Sequence, residues 1–276
     1  MSESLKFLAF DTSTDVLSIA LSDGVKTWSY EGVGGAQASA QLIPSVLDLL
    51  AQAGWTLSQL DAIVFGRGPG SFTGLRTACA VAQGLAFGAA VPVLPVDTLL
   101  AVAEQARWDL QGQSEQDAPL IVLALMDARM DEVYSAAFLW QGAPQGWRAL
   151  QNLQVGKPET VTLAPATLAA MANGADWLCA GNAFVPYGER LPDLPRAVSR
   201  VLAMPTAQAL LRLAPALFKA GLAVPAEQAM PLYVRDKVAN TTAEREVLKA
   251  EKLVAQLAEK IAAPLASQSV AAGNSV

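Results

Sequence analysis

At 276 residues, with 53% hydrophobic and only 16% charged side chains, the chain can build a large core, and its length suggests about two domains. A formal charge of -6 argues against a chain that holds nucleic acid unaided, because phosphate neutralisation needs a basic face. The absence of histidine excludes Ser-His-Asp and Cys-His catalysis, HExxH zinc sites and any His-ligated metal, and the two cysteines cannot form a structural zinc site.

Residues 5–11, LKFLAFD, read as a strand ending in an acid, followed by the polar turn DTSTD (11–15). VLSIALSDG (16–24) alternates and ends in Asp-Gly, which reads as the return strand of a hairpin, and residues 26–31 could add a third strand. A helix is expected over 38–53, then a buried strand AIVF (62–65). Next comes the stretch GRGPGSFTGLR (66–76), which leads into a helix with Ser71 as its N-cap. Val91–Val96 reads as a strand and 97–110 as a helix capped by Asp97. The uncharged run between Arg76 and Asp97 carries Pro92 and Pro95 and so is not expected to span a membrane. MSESLKFLAFD has no signal-peptide layout, so a cytoplasmic protein is expected.

After a polar linker at 111–119 the pattern starts over. PLIVLALMD (119–127) is a buried strand ending in an acid, ARMDE (128–132) turns, and VYSAAFLW (133–140) returns. A hairpin repeated at the head of each half suggests two related lobes. Turn and strand continue over 141–150, a helix is expected over Glu159–Met171, a strand over 176–183, and a short strand between Arg196 and Ala203. PTAQALLRLAPALFKAG (205–221) reads as a helix with Pro205 in its first turn, Pro215 as a kink and Gly221 past its end. Residues 229–237 read as an extended closing segment. An amphipathic helix is expected over 241–261, opened by the capping box Thr241/Glu244, and a low-complexity tail follows. The boundaries this implies are 1–112, 113–204, 205–238 and 239–276.

Two features bear on chemistry. The loop at 66–76 joins a strand to a helix N-terminus, which is the layout of an anion site, but it matches neither GxxxxGK[ST] nor GxGxxG. Asp11, Thr12, Ser13, Thr14 and Ser71 are the candidates for a nucleotide or anion, with an ordinary tight connection as the plainer reading. The helices at 38–53 and 72–89 are apolar nearly all round. Either both are sandwiched within the domain, or one side faces a partner; the pattern leaves both open.

DTST (11–14), GPGSFTGLR (68–76), DARMDEVY (127–134), AGN (180–182) and PLYVR (231–235) occur in the order found in the TsaB (YeaZ) family, which the chain resembles over roughly its first 235 residues. The resemblance implies an α/β fold of two ribonuclease-H-like lobes, as in actin, Hsp70 and sugar kinases, each a mixed sheet with helices. It implies a non-catalytic scaffold or activating subunit for synthesis of threonylcarbamoyladenosine beside the tRNA anticodon. TsaD would be the direct catalytic partner, TsaE would join the assembly, and tRNA would be met through the complex. The chain would have no cofactor of its own, with ATP and magnesium used by the assembly. The first two helices would form the partner bundle through Leu42, Val46, Leu49, Leu50, Gly74, Leu75, Ala78, Ala82 and Leu85, and they leave a homodimer open when the partner is missing. Val46→Glu or Ala82→Glu is then expected to give a folded monomer that loses TsaD. The family often carries His-Ser before the first helix where this chain has Ala38-Ser39, and residues after Val238 extend past the usual family end. The alternative is an ATP-dependent kinase or ATPase of the actin-like superfamily using Asp11. Against it, the second hairpin turn has no glycine and gathers Asp127, Asp131 and Glu132, a costly neighbourhood for a triphosphate. A protease reading finds no nucleophile with a base.

Overall fold

The computed structural model describes residues 4–111, 118–192 and 199–234. The expected helix at 241–261 and the tail lie outside the described residues. The first sheet is built from β1 (Phe7–Asp11), β2 (Val16–Ser22), β3 (Thr27–Val33), β4 (Ala62–Gly68) and β5 (Val93–Asp97), in the order β3-β2-β1-β4-β5. The second is built from β6 (Leu120–Arg129), β7 (Glu132–Trp140), β8 (Trp147–Gly156), β9 (Asp176–Gly181) and β10 (Ser199–Val201), in the order β10-β9-β6-β7-β8. Read from β8, the second sheet repeats the first strand for strand. In both, the leading strand pairs antiparallel with its hairpin partner and parallel with the fourth strand. The two lobes that the repeated hairpin suggests are thus present.

The helices are α1 (Ala38–Ala53), α2 (Phe72–Ala89), α3 (Thr98–Gln111), α4 (Pro165–Ala172), α5 (Phe184–Tyr187) and α6 (Ala207–Lys219). Because side chains alternate along a strand, the apolar run of β1 can feed two cores. Leu8 and Phe10 meet α1 and α2 through Leu42, Val46, Ala78 and Ala82, while Phe7 and Ala9 meet α6 through Leu210 and Ala214. The second sheet does the same: Val122 and Ala124 pack on Val102 and Ala106 of α3, and Ile121 and Leu123 pack with Val161 and Leu191 on the other side. α3 therefore lies between the two sheets.

Two elements depart from the sequence expectation. The helix expected over Glu159–Met171 splits into a 3-10 turn at Pro158–Thr160 and α4 starting at Pro165, because the residue before a proline is pushed out of helical geometry; Ala164 takes φ -64 and ψ 153. α6 starts at Ala207 with Thr206 as cap, its hydroxyl accepting from Ala209 N, so Pro205 precedes the helix, and Pro215 lies inside it. Asp97 closes β5 directly before α3, the position expected of its cap, and its carboxylate accepts from Arg67 Nε at 2.6 Å. No helix among the described residues is long and apolar enough to cross a membrane.

Candidate functional site

The motif-bearing segments meet at the carboxyl ends of β1, β4, β6 and β9. Asp11 closes β1, fully buried, and its Oδ1 accepts from Ser13 N at 2.8 Å and Ser13 Oγ at 2.6 Å. Its Oδ2 is buried with no hydrogen-bond partner. Removal from water disfavours the charged form, and burial pushes this carboxyl up to about 6 against the opposing pull of the Ser13 donors.

The glycines of the 66–76 loop exist largely to admit this turn. A Cβ at Gly66 would sit 1.8 Å from Asp11 Oδ2, one at Gly70 2.5 Å from Ser13 Cβ, and one at Gly74 1.8 Å from the Thr12 carbonyl. The backbone groups of the loop are engaged too: Ser71 N donates to Ser13 O at 2.8 Å, and Thr12 Oγ1 donates to Gly74 O at 2.7 Å. Ser71 caps α2 as expected, accepting from Gly74 N, and is exposed; Thr14 is half-buried and turns its hydroxyl onto Val16. Of the hydroxyls read as candidates for a nucleotide, that of Thr12 therefore ties the turn to the loop, and that of Ser13 is bonded to Asp11 within the turn.

The closing segment completes this assembly. Leu232 N donates to Arg67 O at 2.7 Å, Gln83 Nε2 donates to Ala229 O at 2.9 Å, and Arg76 Nε donates to Tyr233 OH at 3.0 Å. Arg76 also lies over the Phe72 ring at 3.8 Å.

In the second lobe Asp127 occupies the position of Asp11. Its backbone N–H donates to Asn182 Oδ1 at 2.8 Å, and its Oδ1 accepts from Tyr187 OH at 3.1 Å and Arg129 N at 2.8 Å. Gly181, at φ 130, lets β9 run so close to β6 that a Cβ there would lie 1.9 Å from Leu125 O. Arg129, Met130 and Asp131 all take positive φ, 59, 53 and 63, in a turn where glycine or asparagine is the usual choice. Arg190 pairs with Asp131 and Glu159, holding both carboxyls below their usual range. Arg129 also reaches Asp15 Oδ2 at 3.0 Å, joining the two hairpin turns. Sequence reasoning singled out DARMDE and AGN separately; their joining through Asn182 and Tyr187 had no signal beyond their shared place in a repeated topology.

The residues expected to face a partner are placed otherwise. Leu42, Val46, Leu49, Leu50, Leu75, Ala78 and Ala82 are no more than 4% exposed and belong to the chain's own core; Gly74 is buried under Thr12, and Leu85 is half-buried. Glu at Val46 or Ala82 would be a buried charge without a partner, so neither substitution leaves the fold untouched as expected. The outward sides of the same helices are formed by other residues. On α1 these are Ala40, Ile43, Pro44, Leu47, Asp48 and Ala51, with Ile43 41% and Leu47 51% exposed. On α2 they are Thr73, Arg76, Ala80, Gly84, Phe87 and Gly88, with Phe87 80% exposed. Their spacing of three and four makes one continuous stripe on each helix. Cys79 and Cys179 are buried free thiols, and no cluster of three metal-ligating side chains is found among the described residues.

The family model for TsaD, tRNA N6-adenosine threonylcarbamoyltransferase, matches residues 33–243. The tRNA threonylcarbamoyladenosine biosynthesis protein TsaB of Escherichia coli is 35% identical over 242 residues, which cover 85% of this chain and 96% of that protein. The TsaB protein of Haemophilus influenzae is likewise 35% identical, over 86% of this chain and 96% of its own length. The structure of YeaZ from Pseudomonas aeruginosa is 40% identical and superposes with a TM-score of 0.70, covering 83% of this chain and 99% of that one. With two lobes of matching topology and a likeness that spans nearly the whole of these relatives, the chain belongs to the TsaB (YeaZ) family.

Proposed function

We propose that the protein is a non-catalytic subunit of the assembly that transfers a threonylcarbamoyl group to a tRNA adenosine next to the anticodon. In this reading it works in the cytoplasm by pairing with TsaD, TsaE joins the assembly, and tRNA, ATP and magnesium are handled by the complex. The observation that carries the reading is the outward stripe of α1 and α2. Ile43 and Leu47 on α1 and Phe87 on α2 are exposed, and α2 also carries Gly84 and Gly88, where an added Cβ would meet nothing within 4 Å, so a partner helix can approach the backbone closely. The first hairpin supports the non-catalytic part. Its acid is buried, its hydroxyls are bonded within the chain, and the glycine loop is packed with the chain's own turn.

The test is co-purification with TsaD from the same cell, followed by the tRNA modification assay. Leu47→Glu and Gly84→Arg are expected to give folded protein that no longer retains TsaD and no longer supports modification. Retention of TsaD by both variants would refute this face as the interface. Magnesium-dependent ATP turnover by the isolated chain, abolished in Asp11→Asn, would refute the non-catalytic role.

A further inference from the structure

We infer that Glu104 pins the two lobes at one fixed opening, so that the protein acts as a rigid two-lobed body rather than as a hinged pair of lobes. Glu104 lies on α3 between the sheets and is 2% exposed. Its carboxylate accepts four hydrogen bonds. Arg107 of the same helix binds in bidentate fashion, Nε to Oε2 and Nη2 to Oε1, both at 2.9 Å. Arg212 Nε reaches Oε1 at 2.8 Å, and Trp147 Nε1 reaches Oε2 at 2.9 Å.

The two outer donors come from opposite lobes. Arg212 sits on α6, which packs on β1 and whose Ala207 N donates to Ser18 Oγ of β2 at 2.9 Å. Trp147 opens β8 in the second sheet, opposite Trp140. Each donor is itself held in place: Arg212 Nη2 donates to Gln105 Oε1 at 2.9 Å, and Arg107 lies 4.4 Å over the Trp140 ring. Trp147 and Leu100 pack against the core of both lobes, so the apolar seam surrounds the carboxylate and shields it from water. A buried, fully bonded charge has a strong preference for one geometry, because releasing any donor leaves an unpaired charge out of water. At the other end of the seam the Arg129–Asp15 pair is 73% and 86% exposed, and such surface pairs hold little. Of these two polar contacts, the one that fixes the opening is the buried cluster at Glu104.

Pulsed electron spin resonance on the full chain tests this. Nitroxide labels at Ser29→Cys and Asn152→Cys, both exposed positions, report across the lobes; labels at Ser29→Cys and Gln52→Cys report within the first. Trp147→Phe removes the second lobe's donor while keeping an aromatic ring in the seam, and Glu104→Gln removes the charge. The interlobe distance distribution is expected to be single and narrow in the parent and to broaden at least two-fold in Trp147→Phe, with the within-lobe distribution unchanged. Glu104→Gln is expected to do the same where it folds. An unchanged interlobe width in Trp147→Phe, or equal broadening of both pairs, would overturn the proposal.

Discussion

Stability against mild acid offers a direct check on the first hairpin. Asp11 is fully buried, with its carboxyl raised from 3.8 to about 6 by loss of water. A group whose folded pKa lies above its unfolded one adds stability that is complete below the unfolded value and is lost as pH rises through the folded value. The full swing, at about 1.4 kcal/mol per pKa unit, is about 3 kcal/mol. Between pH 7 and pH 5 the share gained is about 1.3 kcal/mol, which corresponds to a rise in Tm of roughly 3–5 °C for a chain of this size. The chain has no histidine to titrate in that window. Asp23, Asp131 and Glu159 have lowered values, so the stability they contribute is lost only at lower pH. Asp11 thus dominates the slope. Urea or thermal unfolding at half-unit steps should show the protein becoming more stable from pH 7 to pH 5, and Asp11→Asn, which keeps an acceptor for Ser13, should flatten that slope. A parent that loses stability over this interval, or an Asn variant that keeps the slope, would refute the buried-carboxylate account.

Glycine substitutions in α2 should have opposite signs at its two ends. Gly74→Ala drives a Cβ into the Thr12 carbonyl and is expected to cost about 1–3 kcal/mol, whereas Gly84→Ala, facing open space, should gain up to about 1 kcal/mol of helix stability in urea melts. On α1, Val46→Glu should cost several kcal/mol or prevent folding, since it buries an unpaired charge, while the adjacent Leu47→Glu should change the unfolding midpoint little; circular dichroism melts separate the two.

Much of the fold is written locally. The repeated hairpins, the continuous apolar runs of β1 and β6, and the limits of α1 and α2 follow from period, turn residues and caps. The break before Pro165 was equally local, yet the apolar content around it masked the proline's effect on Ala164. What the sequence could not show was which side of α1 and α2 the chain itself covers. A helix apolar on all sides reads the same whether Leu42 or Leu47 is buried, and the decision belongs to β1 and β2 beneath it. The glycine loop was legible as a special backbone but not as to what fills it, because Thr12 and Ser13 lie some sixty residues away. Glu104 gave no signal at all: its partners Trp147 and Arg212 come from other elements, and only the packing of two lobes brings them to one carboxylate.

The strand order that recurs in both sheets gives the chain an internal control. Asp11 and Asp127 stand at matching corners, and in each lobe the loop after the fourth strand fastens the corner, through the backbone of Gly66–Gly74 in one and through the side-chain amide of Asn182 in the other. The same corner is therefore secured in two ways within a single molecule. The glycine loop tolerates no added atom at Gly66 or Gly74, whereas a side-chain clasp can be loosened one hydrogen bond at a time. In both copies the fourth strand also carries a glycine that admits no added atom, Gly66 against Asp11 Oδ2 and Gly181 against Leu125 O.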